Sequence, residues 1–141
     1  MLTFMLLCGT MMLEIPRRAM ALQRGKSDSY SRCADACAIC KRACDRCANH
    51  CASMVTAGMK EHAKTLHLCQ DCANLCGAAA QICERRGPMS KVVCQACLQA
   101  CKTCGGECGK FPQMQPMKDC AKACAACAKA CQEMIQSIKG G

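Results

Sequence analysis

The sequence predicts an all-α fold, an antiparallel up-down-up-down four-helix bundle preceded by a signal-like segment or short N-terminal helix. Three observations predict it. Cysteines recur at alternating steps of three and four in separate runs, the a/d seam of a bundle helix. Helix-stopping residues stand between the runs, and such short connections make consecutive helices antiparallel neighbours. No stretch alternates apolar and polar residues with the period of two that a half-buried strand needs. The 141 residues suffice for one domain.

Residues 1–26, "MLTFMLLCGTMMLEIPRRAMALQRGK", differ from the remainder, 27–141. Met1 to Ile15 is apolar but too short to span a bilayer. Ala19-Met20-Ala21 matches a signal cleavage pattern, yet Arg17 and Arg18 follow the apolar run instead of preceding it. On this order the chain is expected in the cytoplasm, with export after folding as the alternative. Cys8 lies outside every repeat.

The first bundle helix carries Cys33, Cys37, Cys40, Cys44, Cys47 and Cys51, with Asp28 or Ser29 as its cap and Gly58 after its end. The second carries Cys69, Cys72, Cys76 and Cys83, Ala79 or Ala80 filling the missing step. Arg85-Arg86 suit its C-terminus, and Gly87-Pro88 stops it. The third, with Ser90 as its cap, carries Cys94, Cys97, Cys101, Cys104 and Cys108. Gly105, Gly106 and Gly109 weaken it by about 1 kcal/mol each relative to Ala, and mark a kink or a close approach. After the loop "GKFPQMQP", Pro116 falls in the first turn of the fourth helix, which carries Cys120, Cys124, Cys127 and Cys131.

The residue type on these seams is the unusual feature. The chain has 20 cysteines, two phenylalanines, one tyrosine and no tryptophan. Cysteine above about 8–10% indicates a disulfide scaffold or a metal binder. Inert packing fails, because a bundle lined with so small a side chain packs poorly unless something fills it. Disulfides fit badly: Cβ atoms one helical turn apart are about 5–6 Å apart, against roughly 3.5–4.5 Å for a disulfide. Metal fits. A two-coordinate soft ion needs its sulfurs about 4.5 Å apart, twice a metal–sulfur bond, and side-chain rotation brings an i, i+4 pair there. Every bundle helix has at least one CxxxC pair.

Thiolates select Cu(I), Zn(II) or iron–sulfur clusters. Zinc takes four thiolates and leaves two negative charges per site, a costly burden inside a bundle. Iron–sulfur clusters need four convergent thiolates at discrete, loop-type spacings. Cu(I) shares sulfurs between neighbours, and one ion per thiolate leaves the core neutral. The expected occupant is therefore Cu(I), many ions, on the order of one per seam cysteine.

The two ends differ. Extending the seams reaches Met54, His62 and Met117 at one end, with His50, Met59 and Met114 nearby. Thioether and imidazole are weak neutral ligands for copper and suit a mouth where ions are taken in. Tyr30, Met134 and Ile138 at the other end read as an apolar plug. His67 falls off the seam.

The +9 formal charge is scattered, without basic blocks or interleaved aromatics, which argues against nucleic acid. An enzyme is not expected: CxxC needs a βαβ setting to act as a thioredoxin-like pair, and no acid–base constellation accompanies the three histidines. The remaining alternatives are a metallothionein-like Zn(II)/Cd(II) buffer and a thiol redox protein.

Cys33 to Cys131, with "NHCASM" and "CGGECGKFP…MKDCAKACAACAKAC", resembles the bacterial copper storage proteins, and the Met-bearing exported branch more than the His-bearing cytosolic one. The resemblance implies many Cu(I) ions inside the bundle, a homotetramer, and storage that supplies cuproenzymes or protects against copper toxicity, with a copper chaperone or cuproenzyme as partner. It maps the lining onto the seam cysteines and the mouth onto His50, Met54, Met59, Met114 and Met117. The chain departs from the exported branch at its N-terminus, where the twin arginines follow the apolar run. Dense reduced thiols suit the cytosol, or export after folding and metal loading.

Overall fold

The computed structural model describes residues 28–139; the N-terminal segment and Cys8 lie outside them. Four helices follow in order: α1 (Ser29–Thr56), α2 (Ala63–Glu84), α3 (Ser90–Cys108) and α4 (Gln115–Lys139), with a 3-10 turn at Lys60–His62 before α2. Each helix packs on its two sequence neighbours in a ring, α4 closing against α1. This is the predicted up-down-up-down bundle.

The helix ends follow from local chemistry. The carboxylate of Asp28 accepts the Ser31 N–H at 3.0 Å and caps α1. At the other end Gly58, φ +94°, takes the left-handed position. The Gly58 N–H donates to Val55 O and the Met59 N–H to Met54 O, both at 3.0 Å, satisfying two otherwise orphaned carbonyls. The end of α2 repeats the pattern, but Arg86 holds the positive φ, 52°, not Gly87. A non-glycine residue there costs about 1–2 kcal/mol. Arg86 offsets that cost by pairing with Asp28 and lying 5.5 Å from the centroid of the Tyr30 ring. Ser90 is the first residue of α3, not its cap. Its hydroxyl donates back to Gly87 O at 2.6 Å.

The helices come close because the flanks of the seam are small. Ala34, Ala43, Ala48, Ala73 and Ala79 are buried, and Ala79, not Ala80, fills the missing cysteine step of α2. Helix α3 runs unbroken through its glycines. A Cβ at Gly105 would lie 3.0 Å from the Cβ of Cys124, so α3 and α4 approach closely at Gly105. Met117 and Met134, with His62 and Thr65, are the largest fully buried side chains, and they stand at the two ends; between them the interior is sulfur. Among the described residues no helix is long and apolar enough to cross a membrane.

Candidate metal centre

All the cysteines of the four runs are buried at 0–1% exposure, and none is disulfide-bonded. Apart from that of Cys51, their Sγ atoms form a ladder of contacts from 3.4 Å, Cys83 to Cys94, to 4.0 Å, Cys69 to Cys120. A disulfide would need about 2.05 Å. Contacts cross the bundle axis: Cys33–Cys94 at 3.5 Å, Cys40–Cys101 at 3.9 Å and Cys47–Cys108 at 3.8 Å join α1 to α3, and Cys76–Cys127 at 4.0 Å joins α2 to α4. The seam residues thus meet at one continuous sulfur-lined tube.

Four CxxxC pairs have their sulfurs 3.9–4.0 Å apart: Cys33/Cys37, Cys40/Cys44, Cys72/Cys76 and Cys97/Cys101. This is about 0.5 Å shorter than the linear spacing expected from the sequence. With bonds of about 2.3 Å, three sulfurs around one ion are about 4.0 Å apart. The apo tube is therefore spaced for three-coordinate ions, and a small side-chain rotation opens a pair for two-coordination.

The thiols set each other's acidity. A hydrogen bond with Cys101 favours the thiolate of Cys72, which is held down at about 6 despite an opposing effect of Cys104. At Cys120, Cys104 pushes the thiol up, but Cys108, Cys124 and Cys44 outweigh it and hold it at about 6. Burial, with the charge of Cys47, pushes Cys51 up to about 12. At Cys83 a bond with Cys33 favours the thiolate, but Cys94 and burial together outweigh it and push the thiol up to about 12. A few thiolates surrounded by protonated donors is what a low-dielectric sulfur network supports, since adjacent bare anions repel.

The two ends carry what the seams promised, with additions. Met117 is fully buried and His62 is 2% exposed. Met114 packs against the core, while His50, Met54 and Met59 are half-buried. Three residues at this end escaped the sequence reading. Phe111, three beyond Cys108, packs against His62 with ring centroids 4.7 Å apart and the rings tilted by 50°. Thr65, four before Cys69, takes a seam position with its hydroxyl buried and unpartnered. Glu107, almost buried, bridges Lys110 at 2.8 Å and Lys64 of α2 at 3.2 Å, and Lys110 and Lys64 hold its carboxyl below the usual range. Continuing the step of three or four past the last cysteine would have found the first two. Among the described residues the buried orphaned side-chain polar atoms are His50 Nε2, His62 Nδ1 and Thr65 Oγ1, all at this end. At the opposite end Met134 and Ile135 are buried, Tyr30 and Ile138 pack on them, and Ser29 and Ser137 hydroxyls meet at 2.8 Å.

Residues 26–136 match the family described as Csp, copper storage protein. A cytosolic copper storage protein from Streptomyces lividans, solved with five coppers, is 34% identical with a TM-score of 0.70, over 77% of this chain and 92% of that one. The Streptomyces lividans protein loaded with 10 copper equivalents is 31% identical with a TM-score of 0.71, over 82% of this chain and 95% of that one. The Cu(I)-bound copper storage protein BsCsp3 is 30% identical with a TM-score of 0.70, over 77% of this chain and 99% of that one. No curated protein matches.

Proposed function

Because this chain belongs to the copper storage protein family, we propose that it stores copper as many Cu(I) ions bound to the cysteine thiolates inside the bundle. The observation that carries this reading is the continuous ladder of buried, unbonded sulfurs at the spacing of three-coordinate soft ions. Each ion that enters replaces one thiol proton, so a filled tube holds as many positive as negative charges and needs no counterions. That neutrality offsets the desolvation that isolated buried thiolates would incur. The ligands are the cysteines of the four runs. The role is storage, not catalysis.

Loading takes place at the end that carries His50, Met54, Met59, His62, Met114 and Met117. Imidazole and thioether hold Cu(I) weakly, so an ion passes from them to the bridging thiolates beyond. The chain works as a homotetramer, receives or delivers copper through a chaperone or cuproenzyme, and serves either supply or protection. Its unbonded thiols favour the cytosol, the compartment of the Streptomyces lividans relative.

Anaerobic titration of the reduced chain with Cu(I) against a competing chelator is the decisive test. Saturation near 19 ions, the number of free thiols lining the tube, is expected. Saturation at a handful of ions would overturn the storage reading. Mass spectrometry of the mature N-terminus separates a cytosolic from an exported protein.

A further inference from the structure

The tube is not only a ladder of pairs. It contains groups of four sulfurs in which every Sγ lies within 4.8 Å of the other three. Three of these groups share no sulfur and follow one another along the axis. Nearest the plug, Cys37, Cys97, Cys127 and Cys131 converge, with Cys37–Cys131 at 3.8 Å, Cys97–Cys127 at 3.8 Å and Cys37–Cys97 at 3.9 Å. In the middle stand Cys40, Cys72, Cys76 and Cys101, with Cys72–Cys101 and Cys76–Cys101 both at 3.8 Å. Toward the mouth come Cys44, Cys104, Cys120 and Cys124, with Cys44–Cys120 at 3.6 Å and Cys44–Cys124 at 3.9 Å.

These contacts come near a second chemistry, the remaining pairs of each group lying within 4.8 Å. Four thiolates around a zinc-group ion with bonds of about 2.3 Å form a tetrahedron whose edge is about 3.8 Å. We infer that the copper-free tube also binds divalent thiophilic cations, Zn(II) or Cd(II), as three discrete tetrathiolate sites, a holding form that Cu(I) displaces. The inference uses the same thiols as the storage reading but does not depend on it.

Charge sets both the limit and the direction of exchange. A divalent ion entering four thiols releases four protons and leaves a site of charge −2. Successive groups lie about one helical turn apart, roughly 5 Å, so each filled site repels the next and later ions bind more weakly. Four Cu(I) ions then convert one such site and its bound ion into a neutral four-copper, four-thiolate cluster and one free divalent cation. The charge is +2 on both sides and no electron moves. Cu(I) therefore removes the repulsion that the divalent ions create.

Titration of the reduced full chain with Cd(II) without oxygen, followed by ultraviolet thiolate-to-cadmium charge transfer and cadmium-113 NMR, tests this. Three equivalents with all-sulfur resonances are expected, and their complete release on addition of Cu(I). Cys131→Ser or Cys127→Ser lowers the cadmium count to two while removing about one copper, and Cys33→Ser, outside the three groups, leaves three cadmium ions bound. Weak non-saturating uptake, mixed oxygen or nitrogen ligation, or three ions retained in both Cys131→Ser and Cys127→Ser overturns the inference. Full copper uptake without cadmium uptake rejects it and leaves storage standing. Failure of both metals rejects the storage reading as well.

Discussion

The two ends of the bundle differ in connection and in chemistry: two of the loops between helices lie at the His62 end and one at the Asp28 end. At the closed end the polar side chains that cap and join the helices are paired: Asp28 with the Ser31 N–H and Arg86, Ser90 with Gly87 O, Ser29 with Ser137. Met134 and Ile135 fill the space between them. At the open end His62 Nδ1, His50 Nε2 and Thr65 Oγ1 are buried without partners. A fold leaves such groups orphaned at a cost of about 1–3 kcal/mol each. One end is built to hold four helices together. The other leaves three buried donor atoms unpartnered, and it is the end at which we propose that copper is loaded.

The comparison breaks most sharply when a buried methionine is removed from each end. Met134→Ala at the closed end should cost about 2–5 kcal/mol of apo stability, read by chemical denaturation, and leave copper uptake kinetics unchanged. Met117→Ala should cost a similar amount. Combined with Met54→Ala, it should also slow Cu(I) loading about tenfold in stopped-flow measurements, the effect of about 1.4 kcal/mol on a barrier, with nearly unchanged capacity. Equal loading rates in the two backgrounds would erase the difference between the ends.

A smaller contrast lies in two buried hydroxyls on equivalent seam steps. Thr65→Val removes an orphan and replaces it with a methyl of the same shape, so the apo protein should gain about 1 kcal/mol in thermal denaturation. Ser90→Ala removes a satisfied hydroxyl and should lose about 1 kcal/mol. The same sign for both would mean that Thr65 has a partner after all.

The smallest effect is one of pH. Lys110 first, and Lys64 after it, lower the pKa of Glu107 from the usual 4.5. A carboxyl depressed in the folded state contributes stability that is present above its ordinary value and lost as pH falls through the folded one. The apo melting temperature should therefore decline below about pH 4.5, and Glu107→Gln should flatten that decline. Asp28, lowered by the Ser31 N–H and then Arg86, gives the closed end a weaker version of the same behaviour because its side chain is 41% exposed, against 10% for Glu107.

Much of this was legible in the residues. The steps between Cys33 and Cys51 specify a helix and the face it buries, and the structure buries that face. Met117, His62 and Met134 fell where the seam extended to them. The losses were of two kinds. Phe111, Thr65 and Ile135 follow the same spacing but are not sulfur or imidazole, so attention to ligand type passed over them. Glu107 has a local partner in Lys110, but its second, Lys64, and the partners of Arg86, Asp28 and Tyr30, lie in other segments and leave no mark in the local sequence.

The sequence by itself determined the helices, the sulfur face of each, and the preference for a soft monovalent ion, because helical period and thiol chemistry are local properties. Only the tertiary structure decided which sulfurs face one another across the axis and at what distance. Those depend on the stagger between helices, set by the turns at Gly58 and Arg86 and by the close approach at Gly105, and no spacing within one helix encodes its register against another.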